Sequence, residues 1–134
     1  MKLFTGKKGF TIVELVIVIA VIAILAAVLI PTFNSVIAKA NESAALQKAQ
    51  TALQVATMEE NGTIADETYF VVGTDYAFKY TKTDGLKVCA SKKEDVTTLT
   101  GTTIKDSHEV ASYSATNEDL KNLKITVYVK KAAA

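Results

Sequence analysis

Between Gly9 and Pro31 this chain carries a single charged side chain, Glu14, at the head of sixteen consecutive residues, Leu15 to Ile30, without a polar group. A helix rises about 1.5 Å per residue, so Phe10 to Ile30 extends roughly 30 Å, the thickness of a bilayer's hydrocarbon core. The segment is long enough to span. Lys2, Lys7 and Lys8 precede it, and the next charge after Glu14 is Lys39, so the positive-inside rule keeps the N-terminus cytoplasmic and exports the remainder. A secretory signal peptide shares the basic start and apolar core. Its core is usually shorter, however, and Ile30-Pro31-Thr32-Phe33-Asn34-Ser35 offers no small-x-small cleavage site, leaving only Ala23 and Ala26-Ala27 within the run.

Glu14 weighs against an idle anchor, because a carboxylate inside a spanning helix costs a few kcal/mol unless it is neutralised or paired. No basic residue follows it on its helix face until Lys39. A cut between Gly9 and Phe10 would create an α-amino cation at the end of the apolar segment. In a straight helix that cation serves the Glu14 of a neighbouring copy better than its own, which makes the helix an assembly device.

The run Lys7-Lys8-Gly9-Phe10-Thr11-Ile12-Val13-Glu14-Leu15 resembles the processing site of type IV prepilins and the related pseudopilins, and the resemblance extends over about the first forty residues. It implies a peptidase that cuts after Gly9 and methylates the new amine of Phe10, and a role for Glu14 in setting register between subunits of a helical filament. Pro31 matches a proline common in that family, where loss of a backbone donor and a clash with the preceding turn kink or loosen the helix. Ala23 stands where many pilins carry glycine, which favours helix there. The resemblance further implies a prepilin peptidase, a polytopic platform protein and a cytoplasmic assembly ATPase as partners.

The composition leaves room for one domain beyond the anchor. Its formal charge falls from +1 to −2 once the three leader lysines are removed, which gives no electrostatic case for nucleic acid. A single cysteine, Cys89, excludes an internal disulfide. In this the chain is closer to disulfide-free pilins than to those that staple a C-terminal loop. Strict alternation along Leu86-Lys87-Val88-Cys89-Ala90 places Cys89 opposite Leu86 and Val88, as a partly buried strand cysteine; an intermolecular disulfide or a reactive thiol is the other reading.

Four segments follow: a cleaved basic leader over 1–9, a transmembrane and assembly helix over 10–31, an exported amphipathic helix over 32–61, and a small, mainly β head over 62–134. The exported helix repeats small or apolar residues at Phe33, Ile37, Ala40, Ala44, Leu46, Ala49, Leu53 and Ala56, and Asn61-Gly62 supplies a left-handed stop. In the head, Tyr76, Phe78 and Tyr80 alternate as a strand and turn at Asp84-Gly85 into Leu86, Val88 and Ala90. Tyr69 to Val72 reads as a further strand or connection, and Val96 to Ile104 as a weaker strand with Gly101 at a turn or bulge. Thr116-Asn117-Glu118-Asp119 caps a short helix over Leu120 and Leu123, and Ile125, Val127 and Val129 form the clearest strand. The fold expected is α+β: a long, kinked N-terminal helix whose exported half covers the one apolar face of an antiparallel sheet.

The head offers little chemistry. Asp106-Ser107-His108 contains the residue types of a hydrolase triad, but neighbours in sequence do not normally form the relay, and a polar loop is the simpler reading. His108 has no companion at metal-ligand spacing. Asp66-Glu67 and Glu118-Asp119 do not form a calcium ligand series. Tyr76, Phe78 and Tyr80 are explained by burial rather than by base stacking. Asn41-Glu42-Ser43 and Asn61-Gly62-Thr63 match the glycosylation tripeptide, although helix polarity and capping account for both.

No catalytic, cofactor or metal residues are assigned. The function read from the chain is that of a structural subunit of a type IV pilus-like filament, a homo-oligomer drawn from the cytoplasmic membrane to the cell exterior. Two alternatives stay open: a major pseudopilin of a type II secretion or competence system, and a non-assembling single-pass protein with a sensor or binding head.

Overall fold

The computed structural model describes residues 11–131 and divides the chain into two compact units, Met1–Lys39 and Ala40–Ala134. Helix α1, Ile12–Glu59, runs for 48 residues without interruption. It contains no glycine and is rich in alanine, the strongest helix former. It ends where the sequence places the stop: Asn61 and Gly62 adopt φ of 58° and 95°, and the Gly62 N–H donates to the Thr57 carbonyl at 2.7 Å.

In the second unit Ala45, Ala49, Ala52 and Ala56 of α1 are buried. Their spacing of four, three and four keeps them on one face, where small side chains let the sheet approach closely. This row differs from the one expected: Ala45 and Ala52 belong to it, Leu46 and Leu53 flank it, and Ala40 and Ala44 are exposed.

The sheet comprises β1 (Thr68–Val72), β2 (Tyr76–Thr81), β3 (Gly85–Ala90), β4 (His108–Val110) and β5 (Ile125–Lys130), ordered β3-β2-β1-β5-β4 with every neighbour antiparallel. On its inner side Phe70, Val72, Phe78, Ile125 and Val127 pack with the alanine row, Ile64, Ala111 and Leu120. The α+β expectation of a long helix and an antiparallel sheet is met.

Three details correct the sequence reading. The segment expected as a weak strand over Val96 to Ile104 is helical, with α2 at Lys93–Thr98, a π-helical turn at Leu99–Ile104 and the short α3 at Lys105–Ser107. The burial of Val96 and Leu99 against the sheet outweighs threonine's β-preference, and the hydroxyls of Thr97, Thr98, Thr100 and Thr102 are satisfied within the segment by the carbonyls of Lys93, Glu94, Val96 and Thr98 at 2.6–3.0 Å. Val96 and Leu99 then pack with Val71, Ala77, Ala90 and Tyr128 on the outer side, so the sheet has two apolar faces, each with a cover.

Second, alternation fails at Cys89. Phe78 pairs with Val88 while Ala77 pairs with Ala90, so Cys89 is the extra residue of a β-bulge. The bulge turns Ala90 into the outer core and leaves Cys89 at the surface, its Sγ donating to the Ala77 carbonyl at 3.4 Å in a partly buried contact, where burial pushes the thiol up.

Third, His108 opens the edge strand β4 rather than lying in a polar loop. The short C-terminal helix, α4 (Glu118–Leu123), forms as read. Asn117 Oδ1 accepts from the N–H groups of Asp119 and Leu120 at 3.0 and 3.3 Å.

Candidate assembly and processing site

Gly9 and Phe10, the residues expected at the cut, lie outside the described residues. The site therefore begins at Thr11. The Thr11 N–H donates to Glu14 Oε2 at 3.0 Å, and the Glu14 N–H donates to Thr11 Oγ1 at 3.1 Å. These reciprocal bonds form a capping box that satisfies two of the donors a helix leaves open at its N-terminus. The carboxylate also sits at the positive end of the helix dipole.

Glu14 meets no basic side chain among the described residues, but the cap gives its carboxylate a hydrogen-bond partner within its own chain. Thr11-Ile12-Val13-Glu14 is a Thr-x-x-Glu motif ahead of an apolar run, a capping signal that the sequence carries beside the charge. One carboxylate oxygen is occupied by the cap; among the described residues the other accepts no hydrogen bond.

Beyond the cap, the apolar side chains point outward all round the helix. Ile12 is 80% exposed, Leu15 57%, Ile24 67% and Ile30 61%. Amphipathic surface helices hide one stripe, whereas this one has no polar side against which to orient. The helix is long and apolar enough to cross a membrane, and none of its apolar window is buried within the unit. Pro31 sits inside α1 without ending it. Its ring removes the N–H that would reach the Ala27 carbonyl, and one residue later Thr32 Oγ1 donates to the Val28 carbonyl at 2.9 Å.

The remaining candidates are tied into the head. Ser107 Oγ lies 2.7 Å from His108 Nδ1, so the two neighbours do meet. However, His108 Nε2 contacts the Glu67 main-chain carbonyl at 2.8 Å, Ser107 Oγ donates to Thr103, and Asp106 takes no part among the described contacts. That arrangement anchors β4; it does not form a triad.

Asp66 accepts from the Lys82 N–H at 2.8 Å, while Glu67 pairs with Lys130 at 3.0 Å and Lys79 at 3.6 Å. The Lys130 hydrogen bond and charge, aided by Lys79, hold the Glu67 carboxyl below its ordinary range. Glu118 pairs with Lys121 at 3.6 Å, and the described residues contain no cluster of three or more metal-ligating side chains. Phe78 is buried, and Tyr76 and Tyr80 pack against the inner core, in keeping with the burial reading. The Tyr113 hydroxyl is buried without a partner among the described residues; burial, with Glu60 and Glu59 nearby, pushes its ionisation up.

A family model for the prokaryotic N-terminal methylation motif matches residues 5–30, which include both Gly9-Phe10 and the capping box. The chain is 36% identical over 95 residues to a fimbrial protein of Moraxella nonliquefaciens, an alignment covering 70% of this chain and 55% of that protein. It is 38% identical over 95 residues to a type IV major fimbrial protein FimA of Dichelobacter nodosus, covering 66% and 59% respectively. Over 38 residues it is 58% identical to the type IV wide pilus major component PilA4 of Thermus thermophilus, 28% of this chain and 29% of that one. The chain spans about half the length of the curated relatives it matches. No solved structure matches it at the same stringency.

Proposed function

Since the chain belongs to the type IV prepilin family by its N-terminal motif and its fimbrial relatives, we propose that it is a structural subunit of a type IV pilus-like filament, cut between Gly9 and Phe10 and assembled through α1. The observation that carries this reading is an all-round apolar helix surface headed by one carboxylate. Leu15 to Ile30 exchanges lipid for neighbouring helices on assembly and stays out of water throughout, so extraction from the membrane does not expose that surface.

In this scheme the Phe10 amine, N-methylated after the cut, approaches the free oxygen of a neighbour's Glu14. In a low-dielectric bundle such a pair sets register, because a displaced subunit leaves the charge uncompensated. Pro31 supplies a point at which the helix can bend or stretch. Before assembly the subunit resides in the cytoplasmic membrane with its head outside. The peptidase, platform protein and assembly ATPase are the partners such a route requires. Catalysis is not part of this role.

Mass spectrometry of the protein from its native host tests the processing step. The expected chain begins at Phe10 with one added methyl, and a filament fraction is recovered by shearing. A chain retaining Met1 to Gly9 beside an active prepilin peptidase overturns the reading, and processed protein that never leaves the membrane fraction favours the pseudopilin alternative.

A further inference from the structure

The two glycosylation tripeptides noted in the sequence occupy very different places in the fold. Asn41-Glu42-Ser43 lies inside α1, where residues two apart point to nearly opposite sides of the helix, and Asn41 lines a groove with Lys48 and Lys124. The Asn41 amide and the Ser43 hydroxyl therefore cannot meet without unwinding the helix. Asn61-Gly62-Thr63 lies just beyond the helix end, with all three residues exposed. Asn61 and Gly62 take φ of 58° and 95°, which turns the chain sharply before Ile64 enters the core.

The turn is also sterically open. A Cβ built on Gly62 would meet nothing within 4 Å. Unlike Thr57 Oγ1 in the helix before it, which donates to the Leu53 carbonyl, Thr63 Oγ1 makes no hydrogen bond among the described residues. It is free to engage the Asn61 amide. Two residues before the asparagine stands Glu59, an exposed carboxylate, where Lys39 holds the equivalent place before Asn41. Glu59 is positioned by Asn117 Nδ2, which donates to its Oε1 at 2.8 Å.

We propose that Asn61 is an N-glycan acceptor, modified by a membrane transferase that uses an oligosaccharide carried on a polyprenyl pyrophosphate. The Asn61 amide nitrogen attacks the anomeric carbon, a C–N bond forms, and the C–O bond to the pyrophosphate breaks. The lipid pyrophosphate leaves and the amide proton passes to a base of the transferase. The inference rests on the reading that the head is exported, because the acceptor must face the side where the sugar is delivered.

The test is glycopeptide mass spectrometry of the full chain from its native host, combined with external protease digestion of intact cells. A mass increment in sugar units is expected on the peptide containing Asn61. Thr63→Ala and Asn61→Gln should abolish it, while Thr63→Ser and Asn41→Gln should retain it. Thr63→Ala leaves the left-handed residues untouched, so its effect is independent of folding. An unmodified Asn61 on protein whose head is cut from outside overturns the acceptor site alone. If the head is protected from outside and Asn61 is unmodified, the export reading falls with it. Sugar found only on serine or threonine hydroxyls also overturns the proposal.

Discussion

Thr11 and Glu14 hold each other's main-chain N–H groups, at 3.0 and 3.1 Å, and so close the first turn of a helix that carries apolar residues on every side. One carboxylate thus has two possible duties, capping its own helix and meeting the amine of a neighbour. They can be separated because capping needs only an acceptor oxygen, whereas pairing with an amine needs the charge.

Glu14→Gln keeps an acceptor and loses the charge; Thr11→Val loses the hydroxyl half of the cap and keeps the charge. Sheared filament yield is expected to fall sharply with Glu14→Gln and Glu14→Val, with processing after Gly9 and head folding intact. Thr11→Val should retain most of the yield, since a cap contributes about 1 kcal/mol. Wild-type yield from Glu14→Gln in a strain without another pilin would assign Glu14 to capping alone.

The alanine row sets how closely α1 and the sheet approach. Ala52 and Phe70 are fully buried in the same core. Ala52→Leu should cost about 1–3 kcal/mol through overpacking, and Phe70→Ala about 3–5 kcal/mol through the cavity it leaves. Ala44→Leu, at an exposed position one residue before the row, should stay within about 0.5 kcal/mol of wild type. Denaturant unfolding of the head checks all three, and similar losses at Ala44 and Ala52 would contradict the packing face.

Acid should loosen the junction of β1, β2 and β5. The Glu67 carboxyl is held below its ordinary 4.5 by the Lys130 hydrogen bond and charge, then by Lys79. A depressed folded value contributes stability that is present above 4.5 and lost as pH falls through the lowered value. Glu67→Gln should therefore be less stable than wild type near neutral pH and converge with it at the acid end. The effect is small, because the pair is exposed to solvent. A gap between the two proteins that stays constant with pH would show that Glu67 acts through shape rather than charge.

Tyr113→Phe removes a buried hydroxyl that has no partner among the described residues. Deleting an unsatisfied group relieves its desolvation cost, so the variant should match wild type or exceed it by about 1 kcal/mol. Thermal unfolding measures this directly, and a clear loss of stability would reveal a hydrogen bond to Glu60 or Glu59.

Features that depend on local chemistry and on long one-dimensional patterns are legible in the amino-acid order alone. The unbroken apolar run fixed the length and character of the first part of α1, Asn61-Gly62 fixed the end of that helix, Asn117 fixed the α4 cap, and alternation fixed β2 and β5. Thr11-x-x-Glu14 was equally legible, being a local hydrogen-bonding pattern. Other features depended on partners distant in the chain. Whether Ala44 or Ala45 faces the sheet is a rotation of the helix settled by Phe70 and Val127, and the stretch around Thr97–Thr103 is helical because Val96 packs on Ala77, far away in the chain, and on Ala90. The bulge at Cys89 belongs to the same class. A strand's own residues announce alternation, but only the pairing of Ala77 with Ala90 and of Phe78 with Val88 decides where it must slip by one.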